Sequence, residues 1–233
     1  MSVRNLNAIR CGKCGHLTDC IFSELGEEEL SQVAQFLRPV RCEISRTLQY
    51  ADIPAMPGYY IICRGKGAVI TTIPEGKRLV TQFLRGGNGV MVSPHWSEGR
   101  YTTFIRVFGE TLITFITGED LLELHKRYPS IGLRVFEKSE RQARFLRERL
   151  IETAYAGSKA RVALLILELE EISLLKMKFS QEELAEMVGI SREMLNRQLR
   201  EFSDRSLISL KHHRISINDV DGLTKIARGI PEL

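Results

Sequence analysis

The chain has 233 residues, a net charge of +4 and 43% hydrophobic residues, enough for one large domain or two ordinary ones, and we expect two. The sequence has no apolar run of about 18 residues, and its first ten residues lack the charged-then-apolar order of a signal peptide. We therefore expect a cytoplasmic protein. Its small positive charge permits nucleic-acid binding but does not by itself indicate it.

Three of the five cysteines lie close together near the N-terminus. Cys11, Cys14 and Cys20 form a C-x2-C-x5-C run, and thiolates at this spacing can surround a soft metal centre. Three sulfurs are not a complete ligand set. In a reducing compartment such thiols are more often metal ligands or redox sensors than disulfides. A zinc site, a redox-active thiol switch and a disulfide switch remain open.

Residues 41–115 have the pattern of a small β-barrel or sandwich, following a first helix near residues 25–37. Short β-branched and aromatic runs are separated by turn residues. The runs are Tyr59–Ile62, Ala68–Ile70, Leu79–Leu84, Thr102–Val107 and Thr111–Ile116, and the turns are Gly65–Gly67, Pro74–Lys77 and Gly86–Gly89. A short helix is then predicted to open at Gly118–Asp120.

A long helix with a heptad pattern is predicted beyond Pro129. Such a pattern brings one stripe of residues onto a seam, so the helix is predicted to pair with its copy in a second subunit. The alternative is a helix that lies across its own barrel. The stripe consists of Phe136, Ala143 and Leu150, seven residues apart, and Ser139, Leu146 and Thr153, offset by three.

The segment from residue 157 onward predicts a helix-turn-helix. Ser180 and Glu183 have the spacing of a capping box that starts one helix, Gly189 allows a sharp turn, and Ser191 can cap a second helix from Arg192 to about Phe202. The second helix places an apolar stripe on one face and charged residues on the other. The stripe is Leu195, Leu199 and Phe202, and the polar face is Arg192, Glu193, Asn196, Arg197 and Arg200.

Two short strand patterns follow, Leu207–Leu210 and Arg214–Ile217, and they flank a basic tip at Lys211–His213. This hairpin completes the pattern of a winged helix. Arginine can pair with guanine and glutamate with the amino group of cytosine when the N-terminus of such a helix enters the major groove. Helix pairs of this kind also occur in proteins that never bind DNA.

The whole chain resembles the CRP/FNR family of bacterial regulators. The resemblance is most specific at Ser191–Arg197, which is similar to the recognition helix of the cAMP-receptor branch. It implies that Arg192, Glu193 and Arg197 read the bases of TGTGA-like half-sites. The FNR branch differs at the first of these positions and often has serine where Asn196 stands, which makes its TTGAT-type half-site a poorer match. Arg200, Lys211 and Arg214 are expected to bind phosphates.

The cysteine run is similar to the cluster-binding cysteines of FNR, which implies an oxygen-sensitive [4Fe–4S] cluster. FNR takes its fourth ligand from a strand late in the β-roll, and the corresponding stretch here, residues 112–115, has no cysteine. We rank Cys63 first as the substitute. The alternatives are Cys42, Asp19, His16 and an external ligand.

Other effectors are less well supported by the sequence. The family's cyclic-nucleotide pocket has a Gly-Glu-Leu-type turn and a later Arg followed by Ser or Thr. Here Gly89–Met91 lacks the glutamate, and Arg100 precedes Tyr101. Haem would have His95 as its axial ligand. A cupin-type metalloenzyme needs paired histidines with a carboxylate in the barrel, and His95 is the only histidine in the predicted barrel.

We therefore predict an α+β regulator, not an enzyme, whose signal is oxygen, nitric oxide or redox state. Its partners would be palindromic operator DNA, a second copy of the chain and, for an activator, RNA polymerase. The predicted segments are a cysteine segment at 1–26, a sensory β-roll of jelly-roll type at 27–128, a dimerisation helix at 129–156 and a winged helix-turn-helix at 157–233.

Overall fold

A computed structural model describes residues 11, 14–40, 50–54, 57–72, 78–92, 102–177, 179–211 and 214–229. The side chains of residues 50–54, 102, 149, 152 and 153 are not described. The predictions for Cys42, His95, Arg100 and the side chain of Thr153 therefore lie outside the described residues. The chain divides into two compact units, residues 1–70 with 82–144 and residues 71–81 with 145–233. The segment boundaries predicted from the sequence remain predictions.

The first unit contains a short helix and, after it in the chain, an antiparallel sheet. Helix α1 spans Glu27–Val33, and a 3-10 turn at Ala34–Phe36 extends it. Strand order is β1-β6-β3-β4, with β2 also on β6 and β5 also on β3. The strands are β1 Arg38–Val40, β2 Tyr50–Pro54, β3 Gly58–Thr72, β4 Arg78–Arg85, β5 Gly89–Val92 and β6 Thr102–Ile116.

In two places, a pair of strands predicted from the sequence is one long strand in the structure. These long strands are β3, which covers Tyr59–Ile62 and Ala68–Ile70, and β6, which covers Thr102–Val107 and Thr111–Ile116. The expected turn at Gly65–Gly67 is wrong, because β3 continues through it. Gly65 has φ +96°, and a Cβ atom there would lie 2.8 Å from the carbonyl oxygen of Glu110. Thr111 Oγ1 accepts a hydrogen bond from Lys66 N (3.2 Å) and donates to Phe108 O (2.8 Å). Glycine therefore permits a close approach between β3 and β6 rather than a reversal of the chain.

Strand β3 separates two hydrophobic clusters. Alternate side chains of a strand point to opposite faces. Tyr60 and Ile62 belong to the core of the sheet domain. Tyr59, Ile61 and Cys63 belong to a second cluster that also contains the N-terminal cysteines Cys11 and Cys20. The sequence pattern of β3 thus places Cys63 on the face that the cysteine segment covers.

Two helices follow the sheet. Helix α2 spans Gly118–Arg127, and the Thr117 side chain accepts a hydrogen bond from Asp120 N, capping its start. Helix α3 spans Pro129–Tyr155, as the sequence predicts. Through Ile131 and Val135, one face of α3 packs against the hydrophobic cluster that contains Cys11, Cys20 and Cys63. Its predicted seam residues Phe136, Leu146 and Leu150 are 62%, 40% and 68% exposed.

The second unit contains a helical domain with a two-stranded wing. Its core is built mainly from α4, whose buried residues include Val162, Leu165 and Leu169, together with α6 and α7. The elements are α4 Ser158–Glu171, α5 Gln181–Val188, α6 Arg192–Asp204, β7 Ile208–Lys211, β8 Arg214–Ile217 and α7 Val220–Ala227. Within the described part of the chain, no helix is both long and apolar enough to cross a membrane.

Candidate DNA-binding surface and cysteine site

The turn between α5 and α6 has the geometry that the sequence predicts. Ser180 N donates to Glu183 Oε2 at 2.7 Å, while Glu183 N donates to Ser180 Oγ at 3.1 Å, completing the capping box. Gly189 ends α5 in the left-handed region, at φ 70°. Two residues later, Ser191 Oγ accepts from Met194 N (3.2 Å) and caps α6. These contacts fix the direction in which α6 leaves the turn.

Helix α6 has one buried face and one charged, solvent-facing side. Leu195, Leu199 and Phe202 are buried, as predicted. Gln198, which the sequence pattern did not single out, is also buried, and its Oε1 has no hydrogen-bond partner. Arg192, Glu193, Arg197 and Arg200 are exposed, and Asn196 is half-buried. The predicted base-reading residues therefore share one accessible face.

Two local contacts organise this face. The pKa of Glu193 is lowered, mainly because its carboxylate accepts a hydrogen bond from its own backbone N–H and from Ser191. The carboxylate is therefore ionised at neutral pH and acts only as a hydrogen-bond acceptor. Arg197 Nη2 lies 2.7 Å from the sulfur of Met194, one helical turn earlier. This contact holds the guanidinium along the exposed face.

One side-chain contact joins α4 to the C-terminal part of α6, and others hold the wing together. Lys159 Nζ of α4 pairs with Glu201 Oε1 on the last turns of α6, a contact that the sequence analysis missed because the partners are 42 residues apart. In the wing, Asn218 Nδ2 donates to Ser209 Oγ (2.9 Å) and Ser206 O (3.3 Å). Lys211 and Arg214 are paired in register and exposed, and the tip residues His212 and His213 lie outside the described residues.

The second site is a small pocket in the first unit that four cysteines line. Cys11, Cys14 and Cys20 approach it from the N-terminal segment, and Cys63 approaches it from β3. His16 also lines this pocket. Its free space is about 10 Å³, room for a single water molecule. All four cysteines are free thiols, so the three predicted ligands and the predicted fourth one line the same pocket.

Three thiols of this pocket have pKa values above the ordinary range of cysteine. Burial, with a smaller contribution from the neighbouring cysteines, raises the pKa of Cys11 and of Cys63 to about 12. Burial also raises the pKa of Cys20. In the part of the chain that the structure describes, no three His, Cys, Asp or Glu side chains close on a point as ligands of one metal ion.

Three polar residues around the cysteine site were not predicted from the sequence. Tyr59 is buried among the cysteine cluster, and its hydroxyl has no hydrogen-bond partner. On α3, Arg134 and Lys138 donate hydrogen bonds to backbone carbonyls of the cysteine segment. No sequence motif marks them, because α3 and the segment are more than 100 residues apart.

The C-terminal geometry has a counterpart in a known family. Residues 160–226 match the model of the Crp-like helix-turn-helix domain, and these residues include α4 through most of α7. The chain belongs to the CRP/FNR family of transcription regulators. It is a DNA-binding regulator rather than an enzyme, so the cupin alternative is wrong. Regulators of the CRP family bind operator DNA, typically as dimers.

Relatives of this CRP/FNR regulator match over much of its length. It is 23% identical over 216 residues to the CRP-like cAMP-activated global transcriptional regulator of Mycobacterium tuberculosis, covering 89% of this chain and 96% of the relative. It is 24% identical over 159 residues to the cAMP-activated global transcriptional regulator CRP of Salmonella typhimurium, covering 65% and 75% of the two chains.

Solved structures show the same fold and confirm the predicted α+β class. A CRP/FNR-family transcriptional regulator from Eubacterium rectale superimposes with a TM-score of 0.71 at 17% identity, over 89% of this chain and 97% of that one. The c-di-GMP responsive regulator CLP of Xanthomonas campestris gives a TM-score of 0.68 at 17% identity, over 82% and 99%.

Proposed function

We propose that this regulator binds, as a homodimer, a palindromic operator with TGTGA-like half-sites. The observation that carries this proposal is the exposed face of α6, where Arg192, Glu193 and Arg197 lie together on a capped helix. Arginine donates to guanine and an ionised glutamate accepts from cytosine, so this face suits direct base readout. Arg200 on α6, with Lys211 and Arg214 on the wing, would bind the phosphates on either side.

The homodimer is supported by helix α3. Phe136, Leu146 and Leu150 are large apolar side chains at heptad positions, and each remains substantially exposed in the single chain. Ser139 is exposed and Ala143 half-buried on the same stripe. Apolar residues that recur at a and d positions are covered when two such helices pair. We therefore propose this stripe, with Thr153, as the dimer interface.

For its signal we propose a [4Fe–4S] cluster bound by Cys11, Cys14, Cys20 and Cys63. The donor set fits, because iron–sulfur clusters are held by four cysteine thiolates, and the four thiols line one pocket. When bound, the cluster supplies a group that oxygen, nitric oxide or a change of redox state can alter. The chain's own part is to provide the four thiolates and to shield the site with Ile61, Leu17 and Phe22.

A cluster and a single zinc ion require different spacings of the four sulfur atoms. Four sulfurs around one Zn²⁺ lie about 3.8 Å apart, as tetrahedral geometry with Zn–S bonds of about 2.3 Å requires. A four-iron cluster takes one thiolate on each iron, so its ligands stand further apart. The four thiols line one pocket, and among the described residues no three His, Cys, Asp or Glu side chains are grouped as ligands of a single ion. Because the pocket has space for only one water, we expect the cysteine segment to move outward from β3 as a cluster binds.

The DNA part is tested by fluorescence anisotropy with short duplexes. A palindrome whose TGTGA half-sites are centred about 10 base pairs apart, one turn of DNA, should bind more tightly than a single half-site or a scrambled palindrome. The affinity should fall as salt rises, because phosphate contacts release counterions. Equal affinity for the palindrome and the scrambled duplex would show that the proposed base readout is wrong.

The cluster part is tested by metal analysis of protein purified without oxygen. About four iron and four sulfide per chain, with visible absorption that bleaches in air, is the expected result. Cys63→Ala should lower the iron content, whereas Ser23→Ala, which changes a residue of the cysteine segment that is not a proposed ligand, should not. Zinc in place of iron would refute the cluster and favour a zinc or thiol switch instead. Neither iron nor zinc would change the DNA-binding proposal.

A further inference from the structure

Two cationic side chains of α3 bind the backbone of the cysteine segment. Arg134 Nη2 donates to the carbonyl oxygen of Thr18 at 3.1 Å, and Lys138 Nζ donates to the carbonyl oxygen of Asp19. These two carbonyls lie just before Cys20. The two cations are one helical turn apart, so they form a pair of contacts on one face of the helix.

The environment of these cations strengthens the contacts. Both side chains are half-buried, and hydrogen bonds from charged donors contribute more than neutral ones, particularly where water is partly excluded. Burial and the neighbouring Arg141 and Arg134 lower the pKa of Lys138, whereas Asp19 and Cys20 oppose this shift. The lysine charge therefore faces the carboxylate and one of the thiols of the cysteine segment.

The other side of the cysteine segment lies against the sheet. A Cβ atom on Gly86, in the turn between β4 and β5, would lie 2.5 Å from His16 Cδ2. At Gly87 such an atom would lie 2.7 Å from the carbonyl oxygen of His16. The segment is thus packed tightly between a rigid turn and helix α3, and its outward movement must be transmitted to α3 or must break the contacts with it.

Helix α3 also carries the heptad stripe, on a different face. Arg134 and Lys138 occupy the f and c positions of the heptad in which Phe136 and Ala143 are a positions and Ser139 is a d position. Positions c and f point away from the a/d seam. A single rigid helix therefore contacts the cysteine segment on one side and offers its apolar stripe on the other.

We propose that Arg134 and Lys138 are the positioning residues that couple the cysteine site to the dimer helix. They hold residues 18 and 19 against α3, so that a displacement of the cysteine segment changes the position of α3 and hence of its seam. The link to the metal state rests on the proposed function above. The hydrogen-bonded attachment of the segment to α3 does not.

The attachment is tested first on metal-free, reduced full-length protein. We would measure the alkylation rates of Cys14 and Cys20 by iodoacetamide with mass spectrometry, in wild type and in an Arg134→Met, Lys138→Met double variant. The matched control is Arg141→Met, which removes an exposed cation from the same helix. Because loss of two charged hydrogen bonds favours local opening, the double variant should react at least about fivefold faster at Cys20, and the control should not.

The direction of the change in alkylation rate distinguishes greater exposure of Cys20 from a change in the pKa of its thiol. The Lys138 charge lowers the pKa of Cys20, so its removal alone would reduce the reactive thiolate and slow the alkylation. A faster rate therefore reports opening of the segment. An unchanged or slower rate in the double variant, with circular dichroism like that of wild type, would overturn the proposal whatever metal the protein binds.

The coupling is tested next on protein loaded with iron and sulfide without oxygen. In wild type the ratio of operator Kd values between metal-free and loaded protein measures the coupling. The double variant should still bind iron, but this ratio should fall to near 1, whereas Arg141→Met should keep the wild-type ratio. A wild-type ratio retained by an iron-loaded double variant would overturn the coupling. If wild-type protein binds no iron under these conditions, the cluster proposal is refuted. The attachment of the segment to α3 is then judged by the alkylation result alone.

Discussion

The ring of Tyr59 lies against the backbone of Gly89, so closely that a Cβ atom at position 89 would be 2.6 Å from Tyr59 Cζ. The two residues are diagonal neighbours on the paired strands β3 and β5, where Tyr59 lies opposite Met91 and Gly89 lies opposite Ile61. Tyr59 belongs to the same hydrophobic cluster as Cys11, Cys20 and Cys63. The contact therefore joins a strand of the sheet to the wall of the cysteine site.

We expect Gly89→Ala to destabilise the protein by about 1–3 kcal/mol, because a rigid ring must move out of a packed cluster. Urea unfolding followed by circular dichroism would measure the loss. Gly118→Ala is the matched control, since a Cβ atom there meets nothing within 4 Å and lies in a helix that favours alanine. Equal effects of the two substitutions would contradict the packing argument.

Arg192→Ala should weaken binding to the matched operator by about 1–3 kcal/mol and relax the preference for guanine at one position of each half-site. Arg200→Ala should weaken binding to all duplexes alike and lower the salt dependence, since a phosphate contact carries no base information. Anisotropy titrations with matched and single-base-substituted duplexes would measure both. An Arg192→Ala variant that loses affinity equally for every duplex would refute its role as a base reader.

Leu146→Glu should convert the proposed dimer into a monomer, because it introduces a charge into the apolar stripe that we propose as the dimer interface. Analytical ultracentrifugation would report the change in mass, and affinity for the palindrome should fall towards that of a single half-site. Arg144→Glu introduces the same side chain at an exposed b position and should leave the dimer intact. A Leu146→Glu protein that still sediments as a dimer would place the interface elsewhere.

The buried thiols predict a dependence of stability on alkaline pH in metal-free protein. The pKa of Cys63 is raised by burial from 9.0 to about 12, so the folded state favours the neutral thiol. This contribution to stability is complete below pH 9 and is lost as the pH rises towards 12, by about 1.4 kcal/mol for each pH unit in that window. Urea unfolding of wild type and Cys63→Ala at pH 8, 9 and 10 would measure it.

Both proteins share the titration of their lysines and tyrosines, so the difference between the two isolates Cys63. We expect the stability of wild type relative to Cys63→Ala to decline as the pH rises above 9. A difference that stays constant from pH 8 to 10 would show that Cys63 is not held as a buried neutral thiol.

Local signals explain which parts of the fold could be predicted from the sequence. Ser180, Gly189 and Ser191 act within a few residues of themselves, and the structure has each of them in its predicted cap or turn. Gly65 gave a misleading signal, because a glycine that permits a close approach between strands looks in sequence like one that permits a turn. Strand pairing, not the residue itself, decides between the two.

The surroundings of the cysteine site depended on contacts distant in sequence. The alternation of β3 places Cys63 and Tyr59 on one face, but only the tertiary structure brings that face under the cysteine segment. The sequence does not distinguish Arg134 and Lys138 from ordinary surface cations of an amphipathic helix. Their partners are backbone carbonyls, which leave no trace in a sequence.

The burial of Cys11, Cys20 and Cys63 also affects how well the metal-free protein resists oxidation. The thiolate is the form of cysteine that oxidants and electrophiles attack, and burial keeps these three thiols protonated. Metal-free molecules are therefore expected to resist damage in air and to keep their ligands intact. Under the proposed function, a chain that has lost its cluster could then bind a new one, so recovery would not require new protein synthesis.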